Sequence, residues 1–379
     1  MPDNHRYRGI TSLKAAKSGK KRKDLLTLPI FLCAAASFSA NAQSNVTIYG
    51  SAVDGIARIS NVDGGRNRTK LQSGGTWSNY IGVTGKENLG NGISAAFTIS
   101  KGYDINTGAN WPAVSHIGLS STSAGTLTLG RQYDYMNDLV PVSIVSSSTL
   151  YAFHPGGYDR AQGVELDNTI SYVSPVLGGF QFKGLYGFSE QVSGLNKKKH
   201  SHSLGMNYTN GGFKGILAHT SVGGGTIRPG TDAGMADFLG ESFASNRDHA
   251  ISLKKTDMYA AAVNYKLGDF TYKGAITAVK FFATSGAKDI LRNIEGSVLY
   301  QFSPKILLNL GHTHSSSGDR KWRTTSASAD YSFSKRTDVM LAVNHQSVSG
   351  EGQVASLFAA GNSSSRKQTV LYLGARHLF

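Results

Sequence analysis

The sequence predicts an all-β fold, a transmembrane antiparallel β-barrel of about sixteen strands whose third long loop folds into the lumen. Three observations predict it. Apolar residues recur at every second position in segment after segment, short turns alternate with long connections, and a secretory leader precedes the first segment.

Taken in order, residues 1–42 read as a signal peptide. They hold the basic run Lys20-Lys21-Arg22-Lys23, an apolar run over 25–38 and the A-x-A site Ala40-Asn41-Ala42, so the mature chain, 43–379, begins at Gln43. The apolar run is too short to cross a bilayer as a helix, which needs roughly 18 consecutive apolar residues. Alone, the KKRK run would suggest nucleic-acid binding; inside a leader it is a targeting charge, and no nucleic-acid partner is expected. The leader holds eight basic and two acidic residues, so six of the fifteen net positive charges leave with it and about nine remain. The single cysteine, Cys33, leaves as well, and the mature chain needs neither disulfides nor thiolate metal sites.

Strand-like segments follow at 46–58, 77–87, 92–102, 113–121, 125–133, 167–174, 179–190, 200–210, 212–222, 256–267, 269–282, 290–302, 305–315, 322–333, 337–347 and 367–379. In 305–313 Ile306, Leu308 and Leu310 share one face and Asn309, Gly311 and Thr313 the other; in 338–346 Val339, Leu341 and Val343 oppose Asn344 and Gln346. That is period two, hence strand. The first segment is the least clear, because Asp54 shares a face with Val46 and Ile48.

Seven short connections, such as ENLGNG at 87–92, Asn210-Gly211-Gly212 and Gly268-Asp269, carry turn chemistry and alternate with eight longer ones. This fits an even barrel with both termini on one side. Tyr208 and Phe213, Tyr265 and Phe270, Tyr300 and Phe302, and Tyr331 and Phe333 flank short turns, as in an interfacial aromatic girdle. A closed barrel removes the unpaired strand edges that lipid does not tolerate. At about sixteen strands the interior is too wide to fill with strand side chains, so it holds water.

Catalytic and metal signatures are the rival reading. No G-x-S-x-G elbow and no H-E-x-x-H occurs, and the glycine runs at 156–157 and 223–225 lack a following Lys-Ser/Thr, so they are turns. His312-Thr313-His314 has no neighbouring carboxylate and reads as surface histidines, so no metal and no cofactor is expected. The connection 134–165 stands out, because Val140, Val142, Ile144, Val145, Leu150, Tyr151 and Phe153 make it too apolar for a solvated tether. Folded inward, it rests these side chains on the barrel wall while Asp138, His154, Asp159 and Arg160 face the lumen. A charged constriction then selects solutes by size and field without a chemical step.

The motifs SNVTIYG, GKENLGNG, GTLTLGRQYD, DNTISYVSPVLGGFQFKGLYGFSE and the terminal GARHLF together resemble the trimeric general porins of Gram-negative outer membranes, of the β-proteobacterial type. The resemblance covers essentially the whole mature chain. It implies sixteen strands, a homotrimer, an inward third loop as the eyelet, and passive diffusion of ions and small hydrophilic solutes. It also implies an outer-membrane location among lipid and lipopolysaccharide, and a terminal Phe379 read by the barrel-assembly machinery.

The departures bear on selectivity. Family members usually carry two basic lumen residues in the strand matching 79–85, where this chain has Tyr80 and Thr84, and an arginine before DNTISY, where it has Glu165 and Leu166. Arg131 matches the basic wall directly, and Lys86 and Lys183 are substitutes by strand parity. The candidate constriction set is therefore Arg131, Asp134, Asp138, Asp159, Arg160, Glu165, Tyr80, Thr84, Lys86 and Lys183, with Arg131 facing Asp138, Asp159 and Glu165. The eyelet is expected to be less positive than in a typical relative, its acidic residues dominating the field, because basic loops such as 66–70 and 197–199 are screened over about 8 Å. Alternatives are a substrate-specific channel with Tyr80, Tyr151, Tyr158 and Trp111 as a stacking track, a sealed structural or adhesive barrel, and a barrel enzyme hydrolysing lipids or peptides.

Overall fold

The computed structural model describes residues 45–62, 64–143, 148–189 and 200–379; the expected leader, with Ala40, Ala42 and Gln43, lies outside them. Among the described residues sixteen antiparallel strands close into a barrel. They are β1 (Asn45–Val62), β2 (Tyr80–Gly90), β3 (Ile93–Tyr103), β4 (Asn110–Ser121), β5 (Gly125–Tyr133), β6 (Glu165–Val173), β7 (Phe180–Gly187) and β8 (Ser201–Asn210). The second half comprises β9 (Phe213–Gly223), β10 (Ile251–Leu267), β11 (Phe270–Ala283), β12 (Lys288–Ser303), β13 (Ile306–Ser317), β14 (Arg320–Ser332), β15 (Thr337–Ser349) and β16 (Lys367–Leu378).

Closure runs through β1. Its start pairs with β2 in the register Asn45↔Lys86 to Ser51↔Tyr80, and its middle pairs with β16 from Ser51↔Leu378 to Ile59↔Val370. Phe379 and Gly50 exchange backbone hydrogen bonds of 3.0 and 3.1 Å, so the last residue completes the seam. No sheet edge is left for lipid to meet.

The doubtful first segment keeps its period. Asp54 lies on the outward face, in register with Ala375, and accepts from Asn106 Nδ2 (3.2 Å) and the Gly55 amide (2.9 Å), which answers the carboxylate. The girdle forms as ring contacts along the short-turn rim, with centroids 4.4 Å apart for the cross-strand pair Phe180 and Tyr208, 4.7 Å for the cross-strand pair Phe270 and Tyr300, and 4.9 Å for Tyr331 and Phe333.

Two expectations need correction. Several strands run further from the short-turn side than the apolar pattern indicates, so the connections 284–287 and 318–319 are tight turns and not long loops. Backbone pairing continues above the apolar band through polar residues such as Lys255, Lys288 and Lys321, because ladder hydrogen bonds do not require apolar side chains. The first long connection also carries its own strand, Arg66–Leu71, paired with the upper part of β1.

The third long connection lies inside the barrel. Its described residues form 3-10 turns at Tyr135–Val142, Leu150–Ala152 and Pro155–Gly157. Met136, Leu139 and Val142 are buried against Ile216, Ala218 and Met258 of β9 and β10, while Tyr151 packs with Ala57, Ile59, Val370 and Tyr372 of β1 and β16. The wall supplies the apolar surface that the loop composition demands.

Two further loops fill the interior beside it, which the sequence did not announce. Met235, Phe238 and Phe243 of the connection 224–250, and Ala355, Leu357 and Ala360 of the connection 350–366, are at most 1% exposed. Trp322 of β14, also fully buried, donates through Nε1 to the Ala233 carbonyl (3.0 Å) and fixes the first of these loops to the wall. The inward faces of β10 to β16 are thereby largely covered. On the inward faces of β2 to β5 Tyr80, Thr84, Thr98, His116, Thr126 and Thr128 stay half-exposed.

Candidate functional site

The uncovered wall and the inward loop together define the constriction. Alternation along β2 puts Tyr80, Thr84 and Lys86 on its inward face, in register with Ser51, Thr47 and Asn45 of β1. Tyr80 sits 5.8 Å from the Tyr49 ring, and the Thr84 hydroxyl bonds the Phe97 carbonyl (2.9 Å) and Thr98 (3.2 Å). This wall therefore offers hydroxyls and phenol edges. Lys86 is exposed at the short-turn end of β2.

Arg131 stands where β5 parts from β4, in the Ser115↔Arg131 pair that ends their register and shares its face with the outward pair Ile117↔Leu129. Its Nε donates to the Ala113 carbonyl (2.8 Å) and its Nη2 reaches the Pro112 carbonyl (3.5 Å), two acceptors beyond that last pair. Its guanidinium also pairs with Glu165 (3.3 Å) and with Asp167. Of the three carboxylates expected opposite Arg131, Glu165 alone lies beside it. Asp138 bonds Lys183 Nζ (2.7 Å), and Asp159 is 1% exposed on the far side of the loop.

The other loop charges are answered as closely. Asp134 accepts from the Met136 amide (2.9 Å) and pairs with Arg160, whose Nη2 also donates to the Val164 (2.9 Å) and Glu165 (3.3 Å) carbonyls. Arg160 has φ 59°, a left-handed conformation that costs an L side chain roughly 1–2 kcal/mol. Its pairing with Asp134 and its two carbonyl contacts offset that strain.

Asp159 belongs to a network that no local motif reveals. His154 Nδ1 lies 2.5 Å from Asp159 and Nε2 lies 3.2 Å from Glu295 of β12, while Thr277 (2.7 Å) and Asn293 (3.4 Å) donate to the same Asp159 oxygen. Burial alone would push the imidazole down, but Asp159 and then Glu295 outweigh it and raise the His154 pKa to about 10. Burial likewise pushes Asp159 up, and the imidazolium, with Thr277 and the Ala161 amide, more than reverses it and holds the carboxyl below its usual range. The network ties the loop tip to the far wall. Strand parity was the available signal, since Glu295 stands between outward Ile294 and Gly296 and must point inward.

Tyr151 and Tyr158 do not continue a track with Tyr80 and Trp111. The first packs on Tyr372 (6.5 Å) and the second on Phe281 (5.5 Å), both inside the loop's apolar contacts. Among the described residues no cluster of three or more His, Cys, Asp or Glu could hold a metal ion.

A closed sixteen-strand barrel with an apolar outer band and an inward loop defines an outer-membrane channel protein. The description "Gram-negative porin" matches residues 30–351, and the chain belongs to that family. It is 27% identical to outer membrane porin protein 32 of Delftia acidovorans over 94% of this chain and 100% of that one. It is 23% identical to the major outer membrane protein P.IB of Neisseria meningitidis serogroup B, with the same coverage. The fold is similar to that of the anion-selective porin from Comamonas acidovorans, with a TM-score of 0.72 and 19% identity over 89% of this chain and 100% of that one. It is also similar to a trimer form of OmpT of Vibrio cholerae, at 0.65 and 14% over 89% and 99%. The protein resides in the outer membrane and forms a channel for passive diffusion.

Proposed function

We propose that this porin is a trimeric, weakly selective diffusion pore with no enzymatic activity, whose eyelet lies between the loop 134–165 and the wall of β2 to β5. The pairing of the loop charges supports this reading most directly: Asp134 with Arg160, Asp138 with Lys183, and Asp159 with His154. The first two pairs cancel, the third is buried, and the facing wall carries Tyr80 and Thr84 where a basic cluster would attract anions. A reversal potential in a salt gradient across a planar bilayer tests it. A value close to zero is expected, and strong anion selectivity would overturn the neutral eyelet while leaving the channel intact.

The remaining parts of the reading have their own tests. The outward wall of β1 to β5 is aliphatic, with Ile48, Ile81, Ile117 and Leu129 all exposed, and is suited to contact between copies; native mass spectrometry should return three chains. Leader removal after Ala42 predicts an N-terminal sequence starting at Gln43. Deleting Phe379 removes its backbone exchange with Gly50, and the amount of barrel assembled in the outer membrane should fall.

A further inference from the structure

The uncovered wall of the lumen carries an arrangement of rings that ion diffusion does not require. Cross-strand register sorts its inward side chains into rows. The upper row holds Ser51, Tyr80, Gly102 and Trp111 of β1 to β4, the next Tyr49, Gly82 and Ser100, and the one below Thr47, Thr84, Thr98 and His116. In the first two rows the rings stand beside glycines. A Cβ added at Gly82 would come within 2.6 Å of Tyr49 Cζ, and one added at Gly102 would strike Trp111 Nε1, so both rings lie flat over bare backbone and turn a face to the lumen. Tyr80 links them: its ring centroid is 5.8 Å from that of Tyr49, and it stands two strands, about 10 Å, from Trp111.

These faces stay open, with Trp111 46% exposed and Tyr49 and Tyr80 half-exposed. The polar groups around them are uncharged. Thr84, Thr98 and Ser100 supply hydroxyls, and Lys86 stands apart at the short-turn end of β2. Thr84 donates its proton to the Phe97 carbonyl at 2.9 Å, so it keeps acceptor capacity for a solute. Rings held flat, open on one face and bordered by neutral hydroxyls are a surface for a solute that is apolar on its face and polar at its rim.

We propose that Tyr49, Tyr80 and Trp111 form a binding track for neutral pyranose sugars on the eyelet wall, with the Thr84, Thr98 and Ser100 hydroxyls receiving the polar rim of the sugar. The inference rests on the reading that the open path runs along β2 to β5. A pyranose presents a C–H face to the rings and hydroxyls to the side chains beside them. A charged solute finds no counter-charge there, and a purely aromatic one leaves the hydroxyl row unused. The span from Tyr80 to Trp111 gives room for more than one sugar ring, so a disaccharide is held better than a monosaccharide.

The test uses the full mature protein in a planar bilayer, with maltose, glucose, mannitol and benzyl alcohol as probes. Maltose should reduce the ion current in a saturable way, and glucose should do so more weakly. Mannitol, which has hydroxyls but no ring face, should act only in proportion to its effect on the bulk solution. Trp111→Ala and Tyr80→Ala should each raise the half-blocking concentration of maltose about fivefold or more, while Tyr80→Phe, which keeps the ring, should stay close to the parent. Gly102→Ala should weaken block by lifting Trp111 off the wall. Tyr186→Ala, on the outward face, should change nothing. Absence of saturable block in a conducting parent, equal block by mannitol, tighter block by benzyl alcohol, or unchanged block in the Tyr80→Ala, Trp111→Ala double variant would overturn the track. Conductance without sugar separates the two readings: a protein that conducts and is not blocked loses the sugar track alone, and one that does not conduct loses the channel with it. The compact, heat-modifiable form in a denaturing gel reports that each variant has folded.

Discussion

His154 is a buried cation between two carboxylates, so removing it takes the counter-charge from buried Asp159. His154→Ala should cost about 3–5 kcal/mol of stability, the usual penalty for breaking a buried ion pair from one side. The sign of the pH dependence follows from the two shifts. His154 is raised from 6.5 to about 10, so its contribution is complete below 6.5, declines above it and is gone beyond about 10. Asp159 is lowered from 3.8, so its contribution is present above 3.8 and lost as the pH falls through its lowered value. Thermal loss of the compact form should therefore occur at lower temperature at pH 10 than at pH 6, and His154→Gln should flatten that difference. Two substitutions test selectivity with charges of opposite sign. Arg131→Glu would set a third carboxylate beside Glu165 and Asp167, and the reversal potential should move toward cations. Tyr80→Arg together with Thr84→Lys restores positive charge to an inward face that now has hydroxyls, and should produce anion selectivity.

At the scale of elements, the strands were legible because lipid outside and a wet or loop-packed interior impose a period of two, and the short turns because they need Gly, Asn, Asp or Pro. The inward course of 134–165 was legible from its apolar content. What rests on register was not: the contact of Arg131 with Asp167 depends on a shift between β5 and β6, where Gly130 pairs with Thr169 and Gln132 with Leu166. Nor could the packing of 224–250 and 350–366 be foreseen, since their buried residues come in short groups, 233–235, 238–239 and 355–357, without a strand or helix period. Trp322 tests that packing. Trp322→Ala removes a fully buried side chain and its bond to Ala233, a change worth about 3–5 kcal/mol in a core. Proteolysis within 229–243 should become faster, while the barrel itself keeps its heat-resistant mobility.

For the whole molecule, the inward loop is the narrowing element, and excising 148–157 should enlarge single-channel conductance; an unchanged value would mean that the open path bypasses the loop. The same residues hold Asn344 through Thr149 (2.8 Å) and Tyr372 through Tyr151, so the enlarged pore should also be noisier.

The covered inner faces of β10 to β16 have a consequence for the current itself. Three loops stand on one half of the circumference, so water and ions pass off-centre, along a crescent bounded by β1 to β5 on one side and folded loop on the other. Conductance in such a duct follows the thickness of the loop lining more than the number of staves in the barrel. Changes of bore can then be made by trading side chains in 224–250 and 350–366, with every strand and every ladder hydrogen bond left as it is.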